Sequence, residues 1–438
     1  MFREQLFKNK SNIIVPPMEF RTIDDLKEYI KFLEKHRRHP KDYVFGIELE
    51  GALVDEEGKP LDAKEVIPRL NEIHQDYEFS EEAGACQIEI KSLPRDFSTE
   101  ALREKEEYLI DVINDIVDIA EKIHNREAIF LLSGSNPHPD VLSDKWITDS
   151  ERARKMSKWR SKFPPIPVAD ILIKPQHIAS AIQSIHVHIN GKNPDDVIHK
   201  FNRLLYMGPE LIALSANSPI IGGRLVDYAE ARLLLYEMAD GGRGGFPDII
   251  KYPKDILEYA EYLFSRERIL GSTLSEIVKE RHEDTRIQFE LPFRVENRVC
   301  AVQAAVRENM ALIEYIIGRL KYAQRWGRQH LPSLREIEIN RTEAIRNSLR
   351  GKFIWNGKSI LTKDYLKQCL EKAEKGIRYF YDHPRYLHLL KTRVEKRRTS
   401  ADVIRNWYKK MEGETEEEKI AKLVNRIWRY TLRNKPIL

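Results

Sequence analysis

Four short stretches of the chain alternate apolar and polar residues: Phe45-Gly-Ile-Glu-Leu-Glu50, Cys86-Gln-Ile-Glu-Ile90, Ile185-His-Val-His-Ile189 and Arg286-Ile-Gln-Phe-Glu290. A period of two is the signature of a strand with two unlike faces. One face collects Phe45, Ile47, Leu49, Cys86, Ile88, Ile90, Ile185, Val187, Ile189, Ile287 and Phe289. The other collects Glu48, Glu50, Gln87, Glu89, His186, His188, Arg286, Gln288 and Glu290. Strands buried on both faces, as in parallel βαβ sheets, read as continuous apolar runs. These do not. The pattern predicts an α+β fold, with a mostly antiparallel sheet, helices on its apolar face and an open site on its polar face.

Between the strands the spacing predicts helices over 23–37, 98–125, 149–159, 194–215, 228–238 and 299–324, and a mainly helical remainder. A short apolar run at 128–133 reads as a buried strand. Strands are expected over 42–54, within 79–93 and over 181–190. The segment Asp240-Gly-Gly-Arg-Gly-Gly-Phe-Pro247 reads as the most flexible of the chain, either a connector or a mobile cover over a site.

With 438 residues, 42% of them hydrophobic, the chain is long enough for a large core. No apolar run reaches bilayer-spanning length, and residues 1–10 lack the apolar stretch of a signal peptide. Three scattered cysteines, Cys86, Cys300 and Cys369, form no CxxC pair, which argues against a disulfide framework or zinc cluster. A cytoplasmic protein, free of the membrane, is the simplest expectation. Net charge is +4 overall, but residues 371–438 carry 18 Lys and Arg against 10 Asp and Glu. Leu387, Leu389, Leu390 and Val394, then Ile420, Leu423, Val424 and Ile427, recur there at helical spacing. The surplus therefore reads first as the solvated face of helices, and nucleic acid is a weaker partner for it.

Carboxylates, an amide and imidazoles on one sheet face are groups that hold divalent metals. Glu48 and Glu50 project the same way, and keeping both ionised calls for a cation. A Glu-x-Glu alone suits any solvated strand, and a lone histidine is usually structural. Glu89 on a second strand and the His186/His188 pair on a third add weight to the metal reading. Two imidazoles and a carboxylate would serve zinc, but the surplus of hard oxygen donors favours Mg²⁺ or Mn²⁺. The chain has no GxxxxGK[ST] motif, so a nucleotide would be held through metal and basic side chains on the sheet.

Taken in order, several motifs resemble those of the carboxylate–amine ligases, a family that includes glutamate–cysteine ligases and sits in the glutamine synthetase superfamily. They are Gly46-Ile-Glu-Leu-Glu50, Gln87-Ile-Glu-Ile-Lys-Ser-Leu-Pro94, Ser184-Ile-His-Val-His188, Ala213-Leu-Ser-Ala-Asn-Ser-Pro219 with Arg232 downstream, and Asn340-Arg341 with Ala344 and Arg346. The likeness spans residues 43–351. It departs from the family at the last sheet motif, typically Glu-x-Arg. Glu290 is followed by Arg294, two positions late, and Glu296-Asn297-Arg298 is a rival match.

The resemblance implies a glutamine synthetase-like catalytic domain over 1–350, with a basic helical extension over 351–438 packed on it. It implies an ATP-dependent ligation in which ATP phosphorylates a carboxylate, often the γ-carboxylate of glutamate, and an amine then displaces phosphate, as in glutathione biosynthesis. It places Mg²⁺ or Mn²⁺ on Glu48, Glu50, Glu89, His186 and Glu290. His188 and Gln288 would face ATP, with Arg294 or Arg298 acting on the phosphates. Arg232 would clamp a substrate carboxylate beside Gln87 and Asn217. Three other readings stand beside this one: phosphoryl transfer to a guanidino group, a non-catalytic nucleic-acid-binding protein using the basic C-terminal helices, and a catalytically dead scaffold. Self-association into a homo-oligomer is left open.

Overall fold

A computed structural model describes residues 19–36, 41–326, 331–411 and 414–438. The expectation for residues 1–10 and the last residue of the 23–37 helix lie outside them. The alternating stretches form one antiparallel sheet. Its strands are β1 (Val44–Asp55), β2 (Tyr77–Glu81), β3 (Gln87–Ser92), β4 (Arg95–Asp96), β5 (Ala128–Leu131), β6 (Ile185–Asn190), β7 (Thr285–Gln288) and β8 (Arg294–Asn297). The path runs β7-β8-β6-β1-β3-β2, and the short β4 and β5 also pair with β1. The long β1 is the spine. Glu48 lies opposite His186 on β6 and Lys91 on β3, and Glu50 lies opposite Glu89.

The apolar face is sealed: Phe45, Leu49, Ile88, Ile90, Ile185, Val187, Ile189, Ile287 and Val295 are all buried. They share one core with helices α1 (Thr99–His124), α3 (Pro194–Ser215) and α5 (Val306–Trp326). Between the first two lies α2 (Glu151–Arg160), and α4 (Ala231–Ala239) follows α3. The Ser98 hydroxyl accepts from Ala101 N at 3.0 Å to cap α1, and Asn125 closes it in the left-handed region. Asn193 caps α3 in the same way, with Pro194 at its first position. The arrangement is the α+β fold the pattern predicts.

Three segments differ from expectation. The 79–93 stretch is a hairpin, β2 and β3, closed by Gln87 accepting from Gly84 N at 2.7 Å. The stretch expected as a strand to Glu290 stops at Gln288, and the chain turns back as β8. The glycine-rich segment is a fixed wall. Gly244–Gly245 pair in parallel with His282–Glu283. Asp240 is buried against Arg160 at 3.0 Å and His282 at 2.8 Å, and Arg243 pairs with Glu280 at 2.8 Å. Positive φ at Gly241, Gly242 and Gly245 lets the chain fold back on itself.

The basic C-terminal helices serve the core. Arg393 is fully buried and donates to Leu214 O, Gln303 and Glu308 at 2.5–2.6 Å. Helix α6 (Thr362–Ile377) crosses α5 so closely that a Cβ on Gly376 would land on the Gly318 carbonyl oxygen. Among the described residues no helix is long and apolar enough to cross a membrane.

Candidate active site

The pleat of β1 aims Glu48 and Glu50 to one side, and the register brings partners from β3, β6 and β8 beside them. Two groups result. Glu48, His186 and Glu296 form one, and Glu50, Glu89 and His186 the other; in each, one ligand atom per residue lies within 4.8 Å of the rest. His186 belongs to both. Its Nδ1 stands 3.0 Å from Glu48 Oε2 and 3.8 Å from Glu296 Oε1, and its Nε2 3.5 Å from Glu50 Oε1. Ser184 fixes the second side, donating from its N and its Oγ to Glu50 Oε2 at 2.7 Å. His188 Nε2 lies 3.3 Å from Glu48 Oε1.

Burial and charge set the carboxylates apart. Burial would raise Glu48, but His188 and His186 hold its carboxyl well below the usual range. Burial would likewise raise Glu296, and Arg286 and Arg298 override it. Burial pushes Glu50 up despite His186. Glu89 is pushed well above the usual range by burial, then by Glu48 and Glu82, against the attraction of Lys91 2.7 Å away. Crowded buried carboxylates of this kind are stabilised by a cation. Oxygen donors with one imidazole per group fit Mg²⁺ or Mn²⁺.

Most of the expected residues lie at or beside this floor. Gln288 donates to Glu296 Oε2 at 2.5 Å. Arg298 pairs with Glu296, and its Nη1 lies 3.3 Å from His186 Nδ1. Arg294, half-buried, reaches His188 Nδ1 at 3.4 Å. Glu290 is the exception. It sits past the end of β7, paired with Lys279 at 3.0 Å and Arg294 at 3.4 Å, and is in neither group. The sheet carboxylate there is Glu296, so the rival match Glu296-Asn297-Arg298 is the one aligned with the floor.

Beside the floor lies a cavity of about 110 Å³, lined by Glu50, His186, Arg298 and Arg232 among others. Arg232 is buried, its Nε 2.8 Å from Glu230 and its Nη2 2.6 Å from Val299 O. Gln87 lines the cavity too, but its amide is spent on Gly84 N, Ala179 O and Ile182 O. Asn217 is buried, donates to Val302 O at 2.8 Å and is not among the residues lining the cavity. Both act as struts of the framework in this geometry.

The sequence reading missed several wall residues. Arg160, His282 and the half-buried Tyr236 line the cavity, with the buried Asp240 tying Arg160 to His282 through hydrogen bonds to both, and burial lowers His282 to about 3. Glu82 and Arg152 line the cavity as well. None sits in an alternating strand, and only the fold brings them together.

A family model, "Glutamate-cysteine ligase family 2(GCS2)", matches residues 44–426. "Putative glutamate--cysteine ligase 2-1" of Legionella pneumophila (strain Corby) is 23% identical over 340 residues, covering 76% of this chain and 80% of that protein. Among solved structures, the glutamate–cysteine ligase of Francisella tularensis in complex with AMP superposes with a TM-score of 0.61 at 14% identity, covering 90% of this chain and 89% of that one. A bifunctional glutathione synthetase of Pasteurella multocida gives 0.54 at 12% identity, covering 94% of this chain and 55% of that one. With the model match running from β1 through the C-terminal helices, the chain belongs to glutamate–cysteine ligase family 2 and is an ATP-dependent carbon–nitrogen ligase.

Proposed function

We propose that this ligase forms a γ-glutamyl amide through an acyl phosphate, with Mg²⁺ or Mn²⁺ and ATP at the polar sheet face. The observation that carries the reading is the sharing of His186 between two carboxylate groups at the rim of an arginine-bearing cavity. Glu48, Glu50, Glu89, His186 and Glu296 would hold the metal, which would offset charge on the transferring phosphoryl group. Arg298, and Arg294 beside His188, would face the phosphates, and Gln288 holds Glu296 in place. Arg232, fixed by Glu230, would present its planar fork to a substrate carboxylate.

In the first step a carboxylate oxygen attacks the γ-phosphorus of ATP and ADP leaves. In the second, the amine nitrogen attacks the acyl carbon, phosphate leaves and the nitrogen loses a proton. Preorganised charge and positioning supply the catalysis, because little covalent chemistry is asked of the protein. Three buried free thiols, Cys86, Cys300 and Cys369, are compatible with a reducing cytoplasm.

The test is a screen of ATP, Mg²⁺ and glutamate with a panel of amino acids and amines, read by product mass. A mass gain matching an amide, with ADP release dependent on the amine, is expected. ADP release that ignores the amine, or phosphate found on a guanidino compound, would sink the ligation reading.

A further inference from the structure

Ser184 stands immediately before β6, and backbone contacts fix it on both sides. Glu50 N donates to Ser184 O at 3.0 Å, and Ser184 bridges to Ala301. The residue is buried between two members of the acidic floor. Its Oγ lies 2.7 Å from Glu50 Oε2 and 2.7 Å from His186 Nε2. A serine hydroxyl has one proton to give, so it can donate to only one of these neighbours.

Glu50 takes that proton. Ser184 N already donates to the same Oε2 at 2.7 Å, which makes Oε2 the accepting oxygen of the carboxyl. Oγ then turns a lone pair towards Nε2, and the ring carries its hydrogen on Nε2 and donates to Oγ. In a neutral imidazole this leaves Nδ1 as an acceptor. The same tautomer suits Arg298, whose Nη1 lies 3.3 Å from Nδ1 and can only donate. The Nδ1 lone pair faces Glu48 Oε2 at 3.0 Å and Glu296 Oε1 at 3.8 Å. Three electron-pair donors then meet with no proton between them, an arrangement that a cation completes.

We propose that Ser184 is a positioning residue that fixes the His186 tautomer, so that the imidazole ligates a cation through Nδ1 beside Glu48 and Glu296 and is withheld as a ligand from Glu50 and Glu89. The proposal rests on the metal-binding part of the function proposed above. It makes the two acidic groups chemically unequal. One offers a nitrogen, which favours a transition ion over Mg²⁺, and the other offers carboxylates. A partner that holds the far nitrogen of a ligating histidine typically contributes about 10–100-fold in metal affinity.

The test titrates the full chain with Mn²⁺ or Mg²⁺ alone, by calorimetry. S184A should lose about 10–100-fold in Mn²⁺ affinity and narrow the preference for Mn²⁺ over Mg²⁺. S184T, which keeps the hydroxyl, should restore both. In an H186A background S184A should cost no more than about threefold, because the ring it acts on is gone. ¹⁵N-histidine spectra of the metal-free chain at pH 8.5, above the ordinary histidine range, give a second readout, with His186 assigned by the signals that H186A removes. The wild-type ring should be protonated at Nε2 alone, and S184A should shift the proton towards Nδ1, where Glu48 can accept it. A wild-type His186 protonated at Nδ1 overturns the proposal. So does an S184A loss that is as large without His186, since the hydroxyl would then act through Glu50 alone. A wild type that binds neither ion overturns the metal reading and this proposal together, whereas tight binding that S184A leaves unchanged overturns the role of Ser184 only.

Discussion

Glu50 and His186 stand on neighbouring strands with Oε1 3.5 Å from Nε2, and this contact joins two acidic groups into one site. The other ring nitrogen of His186 faces Glu48 and Glu296. A single imidazole therefore serves both groups, and its place in the fold is fixed by the β1–β6 register.

Replacing His186 should cost more metal affinity than replacing any one carboxylate. Loss of outer-shell partners alone typically costs about 10–100-fold, so H186A should lose at least that in Mn²⁺ binding measured by calorimetry. E290Q should stay within about threefold of the wild type, because Glu290 pairs with Lys279 and Arg294 away from both groups. Equal losses in the two variants would return Glu290 to the metal site.

The same contrast should appear in stability with the sign of a buried network. Glu296 is fully buried between Arg286, 2.7 Å away, and Arg298. Removing it strands two buried guanidiniums, and E296A should lose about 3–5 kcal/mol in urea denaturation. The partly exposed Glu290 pair should be worth no more than about 1 kcal/mol. An E296A variant as stable as E290A would mean that water or relaxation hydrates both arginines.

Glu296 also marks how far the sequence could be read. Alternation located β1, β3 and β6 and the side chains they present, because a two-residue period fixes which residues share a face. It failed where the strand was interrupted. The apolar-polar pattern runs on through Phe289 and Glu290, but the chain turns after Gln288 and its return strand carries the floor residue. Arg294, Glu296 and Arg298 alternate with Val295 and Asn297, so the signal was present in a stretch too short to stand out. The Asp240–Pro247 segment was misread for a different reason. Its glycines allow flexibility, but its Asp240 and Arg243 find buried partners that are remote in sequence. Glu82 and Arg152 had no local signal at all.

Two helical glycines should respond differently to alanine. Gly376 on α6 meets the Gly318 backbone on α5, and there is no room for a methyl group. G376A should destabilise by about 1–3 kcal/mol or more, since the blocking atom is backbone. Gly208 lies inside α3 with open space where a methyl group would project, but Pro209 follows it and disfavours a helical residue carrying a Cβ, so G208A should stay within about 1 kcal/mol of the wild type, the propensity gain offset by that clash. Thermal unfolding of the two variants beside the wild type decides it. A neutral G376A would show that the two helices can part without cost.

Lys105 should give the protein a stability that rises with pH above neutrality. It is buried under the sheet edge, donating to Ser92 Oγ at 2.8 Å and Leu93 O at 3.0 Å, with the Phe45 ring 5.3 Å away. Burial, then Arg95, lowers its amine to about 7. In the unfolded chain a lysine titrates near 10.4. Between these values the unfolded state binds more protons than the folded one, so folding is increasingly favoured as pH rises through that window. Below about 7 both states are protonated and the full cost of burying the ammonium is present. K105M removes the titration while keeping an apolar stem. Its stability relative to the wild type should therefore be greatest near pH 6.5. That advantage should decline by up to about 1.4 kcal/mol per pH unit between 7 and 10, as the wild-type amine becomes neutral and only the lost hydrogen bonds to Ser92 and Leu93 remain. Urea denaturation of both proteins at pH 6.5, 7.5, 8.5 and 9.5 measures the difference directly and cancels the titrations they share. A difference that is flat across this range would mean that Lys105 reaches water and keeps its charge in the folded protein.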